Sequence, residues 1–130
     1  MVIDTSALVC ILLDEPEAER YARRLIETDS ANVMSAATWL ETMLVISARR
    51  GDLGRQSLDE LLMLAVIEIQ PVDAELARVA YQAWRQYGKG RHPAGLNFGD
   101  CFSYALAKQR QEPLLFKGDD FSKTDIASAL

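Results

Sequence analysis

The hydrophobic pattern alternates between short apolar runs and longer stretches in which apolar residues recur at helical spacing. The short runs predict strands at 1–3, 32–35, 66–69 and 113–116. Helical spacing predicts helices over 5–13, 36–50 and 57–65, one opened by Glu15-Pro16, and two that begin at Asp73 and Asn97. This alternation predicts an α/β fold with a largely parallel sheet and helices on both faces.

Glycines interrupt the pattern at two places. Gly51 predicts the end of helix 36–50, and we expect residues 51–55 to form a turn. The Gly-rich segment 87–96 predicts a loop, which carries Lys89, Arg91 and His92, the only histidine of the chain.

One acid lies where the pattern predicts a buried surface. The stripe of helix 36–50 that we expect to face the core runs through Ala37, Leu40, Leu44, Val45 and Ala48. Glu41 falls inside this stripe. An acid on a buried face requires a partner, because an isolated buried charge is too unfavourable to persist.

Composition indicates one globular domain over residues 1–130. The chain is 49% hydrophobic and 25% charged, and no apolar stretch approaches the roughly 18–20 residues of a membrane span. No signal-peptide pattern opens the chain, and Cys10 and Cys101 form neither a C-x-x-C pair nor a disulfide framework. We therefore expect a cytoplasmic protein.

Five acids are the main candidates for chemistry. Asp4 follows the first strand, Asp119 and Asp120 follow the last, Asp100 lies in the first turn of a helix, and Glu41 is the acid of the apolar stripe. Strand ends and neighbouring helix N-termini of a parallel sheet collect at one edge. Four carboxylates there would repel one another unless a hard divalent cation such as Mg²⁺ or Mn²⁺ lay between them, and such a site suits hydrolysis of a phosphodiester.

The net charge changes this interpretation little. A net charge of −5 argues against a protein that binds nucleic acid through an overall positive charge. It is compatible with an enzyme whose acids surround a cation, because a bound metal ion reverses the local field.

Each acid also has a plainer structural interpretation. Asp4 is placed to cap the helix that follows it, and Asn97 with Asp100 three residues later resembles a capping box. One of the two aspartates of the last turn is expected to be only a turn former. For Glu41 the alternative is a pairing with one of the arginines.

Hydroxyls and cations complete the candidate set. Thr5 or Ser6 could support the first acid. Lys89, Arg91 and Lys117 are candidates for contacts with substrate phosphates. The proposed site needs no histidine base, so the single histidine is given no catalytic role.

The motifs V-I-D-T-S-A-L at 2–8, N-F-G-D-C at 97–101 and L-L-F-K-G-D-D-F at 114–121, with Glu41 between them, resemble those of the PIN-domain ribonucleases. More narrowly, the chain resembles the VapC toxins of bacterial type II toxin–antitoxin systems. By position, Asp4, Glu41 and Asp100 match the family's acidic metal-site residues. The fourth acid is Asp119 or Asp120, because the family's usual turn has a different spacing.

This resemblance implies a three-layer α/β/α fold with a central, mainly parallel sheet of about four or five strands. It also implies an Mg²⁺- or Mn²⁺-dependent endoribonuclease that forms a homodimer. A cognate VapB-like antitoxin is expected to inhibit it in a heterotetramer or larger assembly. We expect that an antitoxin Arg or Lys could occupy the acid cluster as a charge-matched plug.

Two other classes fit less well. A phosphoacceptor receiver domain also places acids at strand ends, but it has an adjacent acid pair after its first strand, where this chain has Asp4-Thr5. The remaining alternative is a non-catalytic PIN-fold protein-interaction module. The intact set of acids argues against it, since an unused cluster would only destabilise the domain by repulsion.

Overall fold

Four short strands form one parallel sheet, and this confirms the predicted α/β fold. The strands are β1 (Val2–Ile3), β2 (Asn32–Ser35), β3 (Ile67–Gln70) and β4 (Leu114–Leu115). The computed structural model, which describes residues 1–130, has them in the order β3-β2-β1-β4. The helices are α1 (Thr5–Leu12), α2 (Ala18–Ile26), α3 (Ala36–Leu64), α4 (Ala74–Tyr87) and α5 (Phe98–Arg110), and a 3₁₀ turn spans Phe121–Lys123.

The sheet separates two apolar clusters, so the molecule has three layers. Val2 of β1 packs with residues of α4 and α5, whereas its neighbour Ile3 packs with residues of α1 and α2. Neither residue has exposed surface, as expected for a strand buried on both faces. Because β1 lies between β2 and β4, it delivers Asp4 to the middle of the carboxyl edge of the sheet.

The buried face of α3 differs from the predicted one. Leu40 and Leu44, which we expected in the core, are 51% and 62% exposed, and the buried positions of this half of the helix are Thr38, Thr42 and Ile46. The threonines can be buried because their hydroxyls have partners. Thr42 Oγ1, for example, donates to the carbonyl oxygen of residue 38 at 2.8 Å.

Gly51 ends the first of the two helical segments that make up α3, as predicted. Its φ of 57° and ψ of −144° are non-helical, but helical structure resumes directly after it and continues to Leu64. The predicted turn over 51–55 is therefore wrong. A single glycine absorbs the change of direction, because it adopts positive φ without the steric penalty of a Cβ.

Other predicted boundaries shift by a few residues. The helix predicted from Glu15-Pro16 begins at Ala18, after a short turn. Asp73 caps α4 as predicted, accepting the N–H of Leu76 at 2.8 Å.

Both cysteines are buried and free. None of the helices combines the length and apolar character needed to cross a bilayer.

Candidate active site

Asp4 is nearly buried at the end of the central strand, with 3% of its surface exposed. Its Oδ2 accepts two hydrogen bonds from Ser6, one from the backbone N–H at 2.9 Å and one from Oγ at 2.6 Å. The first of these is the N-cap of α1, so the predicted capping role is confirmed. Ser6 is therefore the neighbouring hydroxyl that supports Asp4, and it also accepts the backbone N–H of Lys117 at 2.9 Å.

A serine that the sequence analysis did not identify completes the surroundings of Asp4. Ser103, one turn into α5 and fully buried, donates from Oγ to Asp4 Oδ1 at 2.6 Å. Its hydroxyl also lies 3.3 Å from that of Thr38, which in turn lies 2.8 Å from Ser35 Oγ. Each oxygen of the Asp4 carboxylate thus has a donor, which makes a buried charge tolerable.

Glu41 has no arginine partner and is held instead by a hydroxyl and a glycine. Thr5 Oγ1 donates to Glu41 Oε2 at 2.6 Å, so Thr5 supports the second acid rather than the first. The carboxylate lies directly over Gly99, in the first turn of α5. Burial raises the pKa of Glu41; the Thr5 hydrogen bond opposes this shift, and the charge of Asp4 adds to it.

Asp100 is at once a helix cap and a strongly perturbed acid. It forms the predicted capping box with Asn97, each side chain accepting the other's backbone N–H at 2.9 Å. Burial is the largest cause that raises the pKa of Asp100, and the charges of Asp4, Asp120 and Glu41 add to it in that order, against the lowering effect of the Asn97 N–H. Together these effects move the pKa from 3.8 to about 7.

The two aspartates after β4 are not equivalent. Both are exposed, and the charge of Asp120 is among the main causes of the raised pKa of Asp100. Asp119 instead contributes its backbone carbonyl to the turn, accepting a hydrogen bond from Ser122 Oγ at 2.6 Å. Asp120 is therefore the member of the pair that interacts electrostatically with the buried acids.

These acids occupy the edge of a fold that matches a known domain over nearly its whole length. The model of the PIN domain family matches residues 1–127. The chain belongs to the PIN-domain family.

Within that family the sequence is similar to the VapC ribonucleases. It is 56% identical to ribonuclease VapC30 of Mycobacterium tuberculosis H37Rv, over 98% of this chain and 97% of that protein. It is 54% identical to ribonuclease VapC of Mycolicibacterium smegmatis, over 98% of each chain. This PIN domain therefore belongs to the VapC group, and the resemblance of its motifs to that group is confirmed.

Solved structures with the same fold include toxins of this kind. VapC20 of M. tuberculosis, described as a toxin that cleaves the sarcin–ricin loop, superposes with a TM-score of 0.80 at 16% identity, over 97% of this chain and 95% of that one. FitAcB from Neisseria gonorrhoeae gives a TM-score of 0.70 at 24% identity, over 98% and 94%. At these identities the likeness confirms the fold alone.

The acids of this PIN domain suit a hard divalent cation. All their ligand atoms are carboxylate oxygens, the donor type that Mg²⁺ and Mn²⁺ prefer. Glu41 Oε1 and Asp100 Oδ1 accept no hydrogen bond from the protein, while the second oxygen of each is held by Thr5 and by the Asn97 N–H. The hydrogen bond to one oxygen orients the carboxylate, and the other oxygen remains available to a metal ion.

The three basic residues predicted to contact substrate phosphates are Lys89, Arg91 and Lys117, and two of them have partners of their own. Lys117 directs its ammonium to Glu15 and to Glu17, the latter at 2.9 Å. Arg91 stacks over the ring of Trp84, with its guanidinium carbon 4.3 Å from the ring centroid. Lys89 is exposed in the loop.

A second group of metal-binding atom types lies apart from the candidate acids. Ligand atoms of Cys10, Glu15 and Glu17 are within 4.8 Å of one another. The Lys117 ammonium already contacts both carboxylates. Its charge compensates theirs, so this group shows no need for a further cation.

Proposed function

We propose that this chain is a toxin-type endoribonuclease that hydrolyses RNA phosphodiester bonds. Its active site consists of Asp4, Glu41, Asp100 and Asp120. The cofactor is Mg²⁺, for which Mn²⁺ could substitute. One observation carries the proposal: the pKa of Asp100 is raised to about 7 by burial and by the other three acids. Such mutual repulsion is unfavourable in the folded protein and is relieved by a shared cation. The relatives named as VapC ribonucleases support the choice of RNA as substrate.

The four acids would have different roles in the proposed reaction. Asp4, Glu41 and Asp100 would hold the metal, each oriented by a donor from Ser103, Thr5 or Asn97. When bound, the cation would polarise the phosphoryl oxygen, lower the pKa of the attacking water and stabilise the leaving oxygen. Asp120, on an exposed turn at the mouth of the site, would complete the set of acids, a role that the sequence leaves open to Asp119 as well.

A cleavage assay tests this proposal. Labelled RNA is incubated with the native chain in Mg²⁺, Mn²⁺ or EDTA, beside Asp100→Asn, which keeps an acceptor for the capping box. We expect metal-dependent cleavage by the native chain and a loss of roughly 100-fold or more in the variant. Equal cleavage by both proteins would indicate contamination. No cleavage by either would favour the non-catalytic interaction module.

The acid cluster also suits an inhibitory partner. A cognate VapB-like antitoxin could place an Arg or Lys among these carboxylates, where its charge would replace that of the metal. A toxin–antitoxin complex from Klebsiella pneumoniae is among the structures with this fold, at a TM-score of 0.72 and 18% identity over 99% of this chain and 97% of that one. Inhibition that survives loss of every basic residue in the antitoxin tail would contradict the plug.

The exposed face of α3 and α5 supports a homodimer, which an antitoxin would convert into a heterotetramer or larger assembly. Phe98 is 81% exposed and stands between two concave apolar surfaces of about 370 and 400 Å³, one beside Leu44 and one beside Trp84. A protruding side chain beside a groove can pack into the groove of a second copy and receive that copy's side chain in its own, as a two-fold interface requires. Leu44→Glu should convert a dimer into a monomer in light scattering. A native chain that is monomeric would contradict the homodimer. As a toxin that acts on RNA, the protein is also proposed to be cytoplasmic.

A further inference from the structure

Gly99 stands at the closest approach between α5 and the Glu41 carboxylate. A Cβ built on Gly99 would lie 2.5 Å from Glu41 Oε2 and 2.6 Å from Cδ, and nearer still to Oε1. These separations are far below van der Waals contact. Because all three atoms of the carboxylate group are affected, rotation of the carboxylate about its own bond would not relieve the overlap.

The backbone gives no other reason for a glycine at this position. Gly99 lies inside α5, between the cap Asn97 and the capping-box residue Asp100, and its φ is not in the left-handed region. Within a helix glycine is less favourable than alanine. A glycine at position 99 is therefore explained by the space that it leaves for the Glu41 carboxylate.

The Glu41 carboxylate is confined from its other side as well. Thr5 Oγ1 holds Oε2 at 2.6 Å, so the group lies between α1 and the first turn of α5. A side chain displaced by a methyl group at position 99 would have to turn at its Cα–Cβ or Cβ–Cγ bond. The Thr5 hydrogen bond would then break, and the free oxygen would leave the neighbourhood of Asp100.

We propose that Gly99 is a positioning residue for the metal site: its missing side chain admits the Glu41 carboxylate beside Asp100. This inference rests on the proposed function, since it assigns Glu41 to the metal. It goes beyond that function in assigning the geometry of the site to a residue that contributes no ligand atom.

The test is a double-mutant cycle with Gly99→Ala, Glu41→Ala and the double variant, read out as Mn²⁺ affinity by electron paramagnetic resonance. We expect Gly99→Ala to weaken Mn²⁺ binding by about 10- to 100-fold, as other losses of ligand orientation do. In the Glu41→Ala background the same substitution should have no effect, because no carboxylate remains to be displaced. An unchanged affinity in Gly99→Ala, or equal losses in both backgrounds, would overturn the proposal.

Gly54→Ala is the matched control for generic overpacking. Its Cβ would meet Arg50 Cβ at 2.5 Å and Ile46 Cγ2 at 2.7 Å, inside a helix and without an acid in contact. We expect this variant to lower the urea midpoint of unfolding while leaving Mn²⁺ affinity unchanged. Gly99→Ala should instead weaken Mn²⁺ binding. A loss of affinity in Gly54→Ala equal to that in Gly99→Ala would assign the effect to destabilisation and overturn the proposal.

The same cycle in EDTA separates this inference from the metal site itself. Gly99→Ala should raise the urea midpoint in the Glu41→Ala background, where only helix propensity changes, and raise it less or lower it when Glu41 is present. Should Gly99→Ala fail to fold while the double variant folds, the steric conflict is established. If the native chain bound no Mn²⁺, the proposed function would fail. The difference between the effects of Gly99→Ala on the urea midpoint in the two backgrounds would still test the steric conflict with Glu41. Identical effects in both backgrounds would refute that conflict.

Discussion

Ser103 donates a 2.6 Å hydrogen bond to Asp4 across 99 positions of the chain. It connects the first turns of α5 to the end of β1, and both residues are buried. The helix that supplies one candidate metal ligand, Asp100, therefore also fixes the orientation of another.

Removing this hydroxyl tests its contribution to the fold. Ser103→Ala leaves a buried carboxylate oxygen without its donor, and we expect the metal-free protein to lose about 1–3 kcal/mol of unfolding free energy. Urea unfolding in EDTA measures this. Ser57→Ala is the matched control, because the Ser57 hydroxyl binds a helix carbonyl on an exposed surface and should matter by less than about 0.5 kcal/mol. Equal effects of the two substitutions would contradict a special role for Ser103.

Asp100 should make metal-free stability depend on pH. Its pKa rises from 3.8 to about 7 on folding, so the folded protein binds this proton more tightly than the unfolded chain. The associated stability is present below about pH 4 and is lost as the pH rises to 7.

Asp100→Asn isolates that effect. In EDTA at pH 8 we expect the variant to be more stable than the native chain by on the order of 2 kcal/mol, less than the full shift implies because the carboxyl is only partly buried. The advantage should shrink toward pH 4. Urea unfolding across this range provides the measurement, and a variant that is less stable at pH 8 would mean that the capping role outweighs the repulsion.

The two aspartates of the last turn give a comparison between neighbours. Asp120→Asn removes a charge that helps to raise the pKa of Asp100, whereas Asp119 contributes a backbone carbonyl to the turn, which Asp119→Asn leaves in place. We expect metal-dependent RNA cleavage to fall by about tenfold or more in Asp120→Asn and to stay within about twofold in Asp119→Asn. The opposite order would make Asp119 the fourth acid.

Lys117 should behave as a structural cation. Its ammonium contacts Glu15 and Glu17, so Lys117→Met should leave these two acids uncompensated and lower the thermal midpoint. RNA cleavage under saturating metal should remain within about twofold of the native rate. Lys123→Met is the exposed control. A loss of cleavage without a loss of stability would instead support the predicted phosphate contact.

The strands and the caps at Asp4, Asp73 and Asn97 could be predicted from the sequence because each depends on neighbouring residues. The parallel sheet could be predicted because strands alternate with helices along the chain. The buried face of α3 could not. Hydrophobic periodicity identifies an apolar stripe, but it does not distinguish a stripe that faces the core from one that faces solvent. Here Leu40 and Leu44 are exposed, while two threonines are buried with their hydroxyls satisfied.

The same reasoning explains which site residues were missed. The acids could be predicted from their places at strand ends and helix starts. The partners of those acids depend on contacts between distant elements. Spacing left Thr5 and Ser6 as alternatives for the support of Asp4, whereas Ser6 binds Asp4 and Thr5 binds Glu41. Ser103 lies one turn after Asp100, and this spacing was the only sequence signal that it could share the site.

The contacts that join Asp4 to Ser103 and Ser6 to Lys117 have a consequence for synthesis. They span 99 and 111 positions of the chain. Residues as far apart as Ser6 and Lys117 must therefore both have left the ribosome before the acids can assemble. During translation the nascent chain has no complete active centre, so any hazard to the RNA of the cell begins only when the last strand has joined the sheet.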